Sequence, residues 1–167
     1  PLDNDSNKWD VESLFFSKKV SELFKSNVLV EKDFDLIITH YSVDNIFLKD
    51  INVKKLLTLH GAPKRSKLID KISLQNVNEF VSVSNYVTRM WKKLHPTLQN
   101  KSIKTFYNGI DLNKFRIITP FNARKIDILF LGRLIATKNL NLLIEIASKV
   151  VKRVKELKVV IAGEGEV

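Results

Sequence analysis

The chain has 167 residues, 44% of them hydrophobic, which is enough for one ordinary core or parts of two. It has no cysteine, which excludes a disulfide framework and a thiolate metal site, and no apolar run reaches transmembrane length. The polar, acidic start lacks the pattern of a signal peptide, so we expect a cytoplasmic protein. Because Pro1 stands where an initiator methionine would, we also expect a cut or partly recorded chain.

The net charge of +10 is distributed unevenly along the chain. Residues 1–48 carry five Lys/Arg against nine Asp/Glu, residues 49–104 carry twelve against three, and residues 105–167 carry eleven against six. A basic stretch is most often a solvated surface, but one beside Met90 and Trp91 is also suited to anionic lipid, and its charge would attract nucleic acid. The cations involved are Lys64, Arg65, Lys67, Lys71, Arg89, Lys92 and Lys93.

The first two thirds of the chain predict strands that alternate with helices. This order favours parallel strands with helices on both faces of a sheet. Ser84 is a natural amino cap for the helix after it, and His95, before Pro96, is interpreted as a cap that the helix dipole favours. The elements are a helix near 11–25, strands near 36–39 and 55–59, a helix near 66–75, a strand near 79–83, a helix near 85–94 and a strand near 103–106.

A second strand–helix pair follows a polar connection. Ile128 to Leu131 predict a buried parallel strand, and apolar residues at 140, 143, 144, 147, 150, 151 and 154 predict the next helix. Between them lie Gly132, Arg133 and Lys138, at the carboxyl end of a strand and the amino end of a helix. That position favours an anion. Arginine adds a bidentate fork and lysine a mobile charge, so the combination predicts a diphosphate site, although each residue alone has an ordinary structural explanation.

The order of motifs around this loop resembles the retaining glycosyltransferases of the GT-B fold, family 4. The motifs are Asn108-Gly-Ile-Asp111, the segment Leu-Phe-Leu-Gly-Arg-Leu-x3-Lys at 129–138, and Val-Val-Ile-Ala-Gly-Glu-Gly at 159–165. The resemblance implies that Arg133 and Lys138, with Gly132, hold the diphosphate of a nucleotide-sugar donor, and that Gly163 and Gly165 approach the nucleotide by backbone. The family usually has glycine after the lysine; here Asn139 stands there, and asparagine is tolerated at a helix amino end.

The resemblance extends to two earlier strands that end in His40 and His60. His60 stands where the family places a histidine facing the cleft near the transferred sugar, so the resemblance implies a catalytic role for it, whereas His40 is the weaker candidate. The implied reaction needs a nucleotide-diphosphate sugar as co-substrate and a glycan, lipid or small-molecule acceptor, with no metal and no further cofactor. Peripheral membrane attachment is common among lipid-modifying members of the family, and in this chain the basic residues 49–104 are the candidate surface for it.

The resemblance also implies an α/β architecture of the GT-B type, with two Rossmann-like domains that have parallel sheets and are both incomplete in this chain. Residues 1–112 would belong to the amino-terminal, acceptor-side domain, 113–125 to the linker, and 126–167 to the start of the donor-binding domain. The implied function is sugar transfer in glycan biosynthesis, with retention at the anomeric carbon. A chain that covers only the middle of such an enzyme is expected to be inactive by itself.

Rival interpretations have weaker sequence support. Asp33-Phe-Asp35 matches the metal-binding D-x-D of the other glycosyltransferase fold, but it precedes an apolar strand instead of following one. Gly163-Glu-Gly165 resembles the start of a dinucleotide fingerprint, without the third glycine. The alternative from another class is a non-catalytic basic domain that binds nucleic acid or anionic membrane through residues 49–104. It predicts salt-sensitive binding and no affinity for nucleotide diphosphates.

Overall fold

The structure, a computed structural model of the chain, describes residues 4–63, 68–115 and 119–165. The chain forms two compact units, residues 1–109 and residues 110–167. Each contains parallel strands and helices, so the predicted α/β class with parallel sheets is confirmed. Among the described residues, no helix combines the length and the apolar character needed to cross a membrane.

The first unit is built on a four-stranded sheet whose strands are all parallel and lie in chain order. Because the strands are parallel, their carboxyl ends meet at one edge, and the loops that leave this edge are neighbours. The predicted strands are confirmed to within a residue at each end. They are β1 (Ile37–Thr39), β2 (Lys55–Leu59), β3 (Glu79–Ser82) and β4 (Ile103–Thr105).

Among the described residues, three α-helices accompany this sheet: α1 (Asn4–Lys25), α2 (Leu68–Ser73) and α3 (Asn85–Leu94). The predicted bounds of α3 are confirmed, and so is its cap, because the Ser84 hydroxyl accepts a hydrogen bond from the Val87 N–H. The helix predicted near 66–75 is shorter, since the α-helix gives way to a tighter 3-10 turn at Leu74–Asn76. Residues 66 and 67 lie outside the described part of the chain.

The core of the first unit lies between the sheet and α3. Leu57 and Leu59 of β2, Phe80 of β3 and Trp91 of α3 are buried there, together with Leu98. Burying one such side chain fully contributes about 1.5–3 kcal/mol relative to leaving it exposed. A second cluster joins α1 to the loop before β2 through Val20, Phe24, Ile37, Leu48, Ile51 and Val53. The central strand β2 is therefore fixed by packing, which matters for the residues that follow it.

The second unit contains β5 (Ile128–Leu131), α4 (Leu140–Val150) and β6 (Val159–Ala162). The two strands are parallel and pair in register, with Ile128 opposite Val159. The predicted parallel strand at 128–131 is confirmed, but the prediction that it is buried is wrong, because Leu129 and Leu131 are exposed and Ile128 and Phe130 are only half-buried. The helix ends at Val150, earlier than predicted, so Val154 lies beyond it. Valine side chains lose freedom in a helix, which favours this early end.

Candidate functional site

The loop after β5 is held against the segment after β6 by its backbone. The Gly132 N–H donates to the Ala162 carbonyl at 3.0 Å, and the Leu134 N–H donates to the Glu164 carbonyl at 2.8 Å. These bonds continue the hydrogen-bonding pattern of the two-stranded sheet beyond the ends of its strands. The segment that carries Arg133 is therefore a defined extension of the sheet.

Gly163 and Gly165 are required by this close approach of two backbones. A Cβ atom at Gly163 would lie closer than 3.0 Å to the carbonyl oxygen of Gly132. A Cβ atom at Gly165 would likewise lie closer than 3.0 Å to the carbonyl oxygen of Leu134. Both glycines also have φ above +150°, which residues with side chains rarely adopt. Their absence of side chains thus has a structural cause inside the second unit, and their predicted contact with a nucleotide stays a prediction.

Arg133 and Lys138 are the two cations of this loop. Lys138 ends a 3-10 turn, Ala136–Lys138, in which its N–H donates to the Ile135 carbonyl at 2.9 Å. Both side chains are exposed, and within the described ranges neither forms an ion pair with a carboxylate. A cation without a partner retains its charge and its hydrogen-bond donors for a ligand. The loop therefore carries two exposed cations, five residues apart, and their predicted contact with a diphosphate stays a prediction.

Asn139 connects this loop to α4 in the left-handed conformation, with φ 52° and ψ 42°. It occupies the cap position of α4, but its side chain makes no capping hydrogen bond. Asparagine suits this position because it tolerates a positive φ. The reason predicted from the sequence, that asparagine is tolerated at a helix amino end, is corrected accordingly. The same backbone angle explains why glycine would serve equally well at this position.

The predicted catalytic residue His60 lies in the first unit, directly after β2, and His40 directly follows β1. The strands pair in parallel, so the two histidines leave the same edge of the sheet. Nδ1 of His40 lies 2.8 Å from Nε2 of His60, with ring centroids 5.0 Å apart, and both residues are exposed. His40 was the weaker candidate by sequence, but the matching positions of the two histidines after neighbouring parallel strands were a signal that could have found the pair.

The segment that carries His60 is anchored by α3. The indole N–H of Trp91 donates to the Gly61 carbonyl at 2.8 Å, and the Val83 N–H donates to the Leu59 carbonyl at 3.2 Å. Trp91 is only 8% exposed. The prediction that Trp91 borders a lipid-binding surface is therefore wrong, because its ring packs in the core and its polar atom is used to hold the backbone beside His60.

The segment that carries His40 is anchored by Asp44. One carboxylate oxygen of Asp44 accepts the Tyr41 N–H at 2.9 Å and lies 3.4 Å from the His40 N–H. The other oxygen accepts the hydroxyl of Ser13 on α1. Carboxylates that accept several hydrogen bonds hold a turn firmly, so the backbone under His40 is fixed to both its own loop and the first helix.

His95 follows α3 as its carboxyl cap residue, where its N–H donates to the Trp91 carbonyl at 2.9 Å. The ring, however, is 1% exposed and stacks on Trp91 with centroids 5.0 Å apart. Burial lowers the pKa of His95, opposed in part by the charge of Asp70. The predicted cap position is therefore confirmed, but the predicted reason for it is wrong: a helix dipole stabilises the charged ring, whereas burial disfavours it.

The remaining candidate sites can be placed briefly. Asp33 ends a 3-10 turn before β1, and among the described residues no group of three metal-ligating side chains occurs. Of the basic stretch, Lys71, Arg89 and Lys93 are exposed, whereas Lys64, Arg65 and Lys67 lie outside the described residues. Binding of this surface to lipid or nucleic acid stays a prediction.

Comparison with known proteins identifies one family similarity. Residues 111–167, which are 57 of the 167 residues, match the family model described as glycosyl transferases, group 1. No curated protein matches the chain. The matched segment contains the loop with Arg133 and Lys138 as well as Gly163 and Gly165, but not His60. The match supports glycosyl transfer in general, on the α/β scaffold described above.

Proposed function

We propose that this chain is part of a glycosyltransferase that moves a sugar from a nucleotide-diphosphate donor to an acceptor, with retention at the anomeric carbon. The observation that supports the proposal best is the loop after β5, where Arg133 and Lys138 are exposed and, within the described residues, not paired with carboxylates. This loop lies inside the segment that is similar to glycosyl transferases of group 1.

The proposed chemistry of the loop is electrostatic. When the bond between sugar and diphosphate breaks, negative charge grows on the leaving diphosphate. Arg133 would hold two of its oxygens with a planar fork, and Lys138 would follow the charge as a mobile ammonium group. The free N–H groups of the first turn of α4 would add partial positive charge near Lys138. Such preorganised donors stabilise the transition state more than the ground state.

His60 is proposed to act near the transferred sugar, on the acceptor-side unit. An imidazole at the carboxyl edge of a parallel sheet is well placed to donate a hydrogen bond to a sugar hydroxyl or to accept one from it. The acceptor is proposed to be a glycan, a lipid or a small molecule. Contact with an anionic membrane through residues 49–104 would serve a lipid acceptor, and its test is vesicle binding as a function of salt.

Binding of nucleoside diphosphates to the 167-residue chain tests the donor site directly. Uridine and guanosine diphosphate are titrated while the backbone amide signals of the loop are followed. We expect the signals at 132–139 to shift, and Arg133→Ala and Lys138→Ala each to weaken binding about tenfold, since hydrogen bonds to charged groups contribute about 1.5–3 kcal/mol. Lys125→Ala is the matched control, an exposed lysine before β5 that should not change the affinity.

Two results would contradict the donor site. One is equal affinity of the parent and both loop variants for each diphosphate. The other is salt-sensitive binding of nucleic acid or vesicles with no response of the loop to either nucleotide, which would favour the non-catalytic basic domain instead.

A further inference from the structure

The contact between His40 and His60 restricts what His60 can do. Its Nε2 lies at hydrogen-bond distance, 2.8 Å, from Nδ1 of His40. A hydrogen bond between two imidazoles needs one N–H and one lone pair, so each ring commits one nitrogen to it. Whichever ring donates, His60 is left with Nδ1 alone for any other partner. His40 therefore selects Nδ1 as the atom that His60 presents to another partner. Because the hydrogen bond links the two rings, the protonation of that atom depends on the protonation of His40.

We propose that His40 is a positioning residue for His60: it holds the Nε2 atom so that His60 meets the sugar substrate through Nδ1. The inference rests on the proposed function of His60 for its meaning in catalysis, although the restraint itself is a property of the free protein. A fixed partner at one ring nitrogen also sets the orientation of the ring, as a carboxylate does when it is hydrogen-bonded to a histidine.

Both rings are carried by backbone that is held on two sides, which a positioning role requires. Thr39, the last residue of β1, is buried, and the amide group of fully buried Asn45 donates to its hydroxyl oxygen at 2.9 Å. Asp44 binds the next turn, as described above. On the other side, Trp91 binds the carbonyl of Gly61, the residue after His60. The two imidazoles thus meet from separately anchored segments.

A metal site is a less suitable explanation of the pair. Two imidazoles alone are fewer ligands than a protein zinc site uses, and within the described residues no third metal-ligating group joins them. The short distance is also that of a direct hydrogen bond between the rings.

Nitrogen-15 spectra of the imidazole rings test the proposal in the 167-residue chain, without substrate. The chain has only three histidines, so single substitutions assign every ring signal. At about pH 8, where an ordinary imidazole is neutral, protonated and unprotonated ring nitrogens have well separated shifts. We expect complementary tautomers in the parent: where Nε2 of His60 is protonated, Nδ1 of His40 is not, and the reverse. His40→Ala should shift both ring nitrogens of His60, and His40→Asn, whose amide lies near the place of Nδ1, should move them back towards the parent values.

A His60 ring whose nitrogen shifts are unchanged in His40→Ala would overturn the positioning role. Chemical shifts of the backbone amides at 55–59 serve as the folding control, because loss of structure in β2 would alter them and loss of the imidazole contact would not.

The role can also be separated from the proposed function. In a transfer assay of the enzyme that contains this segment, we expect His40→Ala to lower kcat with little effect on donor KM, and His40→Asn to recover most of it. Parent-like turnover of His40→Ala beside an impaired His60→Ala would overturn the positioning role alone. If instead His60→Ala turns over normally while the tautomer result holds, the catalytic assignment of His60 fails and the restraint by His40 stands.

Discussion

At the scale of single residues, Arg133 and Lys138 carry the strongest functional prediction. Charge on a leaving diphosphate is larger in the transition state than in the bound donor, so a cation aimed at it affects turnover more than donor affinity. Losing one such contact typically costs about a hundredfold in rate, whereas losing an exposed surface cation costs almost nothing. We expect Arg133→Ala and Lys138→Ala each to lower kcat of the proposed glycosyltransferase about a hundredfold.

Steady-state kinetics with saturating donor measure this effect, and Lys125→Ala is again the control. Circular dichroism of the variants checks that their fold is retained. Variants that work like the parent would remove the main support for a phosphate site, and with it the reason to assign donor binding to this loop.

Asn139 allows a sharper test of backbone conformation. A left-handed backbone costs an L-residue roughly 1–2 kcal/mol, less for asparagine and almost nothing for glycine. We therefore expect Asn139→Gly to be as stable as the parent and Asn139→Val, with its branched side chain, to be less stable by about 1–2 kcal/mol. Urea unfolding followed through the amide signals of α4 gives the comparison. Equal midpoints for the valine and glycine variants would show that the positive φ does not determine the choice of residue.

At the scale of elements, the end of α3 predicts a dependence of stability on pH. Burial lowers the pKa of His95 in the folded protein, so the unfolded chain binds a proton more readily. The free energy of unfolding should therefore be highest above about pH 6.5, the ordinary histidine value, and fall as the pH drops through the lower folded pKa. In His95→Phe, which keeps a ring on Trp91 but cannot titrate, this loss should be smaller.

Urea unfolding at several values between about pH 7 and pH 5 measures the effect, a range chosen because most carboxylates titrate below it. His60→Gln is the matched control, since it removes an exposed imidazole and leaves the buried one. Identical pH profiles for the parent and His95→Phe would rule out His95 as the cause.

The same elements show which features the sequence could predict. Strands β2 and β5 were predictable because short apolar runs bounded by polar residues have few alternatives, and α3 because Ser84 and Pro96 mark its ends. The cations of the loop were predictable from their place between a strand and a helix. The contacts of Trp91 and His95 were not, because they depend on how separate elements pack. The tight approach at Gly163 likewise depends on two loops that lie 30 residues apart in the chain.

At the scale of the whole molecule, the two units differ in how much apolar surface they bury. The first unit has β2 leucines with 0% and 2% exposure, whereas in the second Leu129 is 57% and Leu131 78% exposed. Among the described residues of the second unit, Leu140 is the one buried hydrophobic residue. A two-stranded sheet by itself is marginally stable in water. Because burial supplies most of the favourable free energy of folding, the second unit should open more readily than the first.

Native-state hydrogen exchange measures this difference. We expect the amides of β5 to exchange through openings of lower free energy than those of β2, and a nucleoside diphosphate to slow the exchange of β5 alone, because a ligand that binds only the folded unit stabilises it. At a nucleotide concentration of 100 times the dissociation constant, the free energy of opening would rise by about 2.7 kcal/mol, which corresponds to roughly a hundredfold higher protection from exchange. Arg133→Ala should reduce this nucleotide-dependent rise in the free energy of opening at the same nucleotide concentration. Equal protection of the two strands without nucleotide would show that the exposed leucines do not set the stability of the second unit.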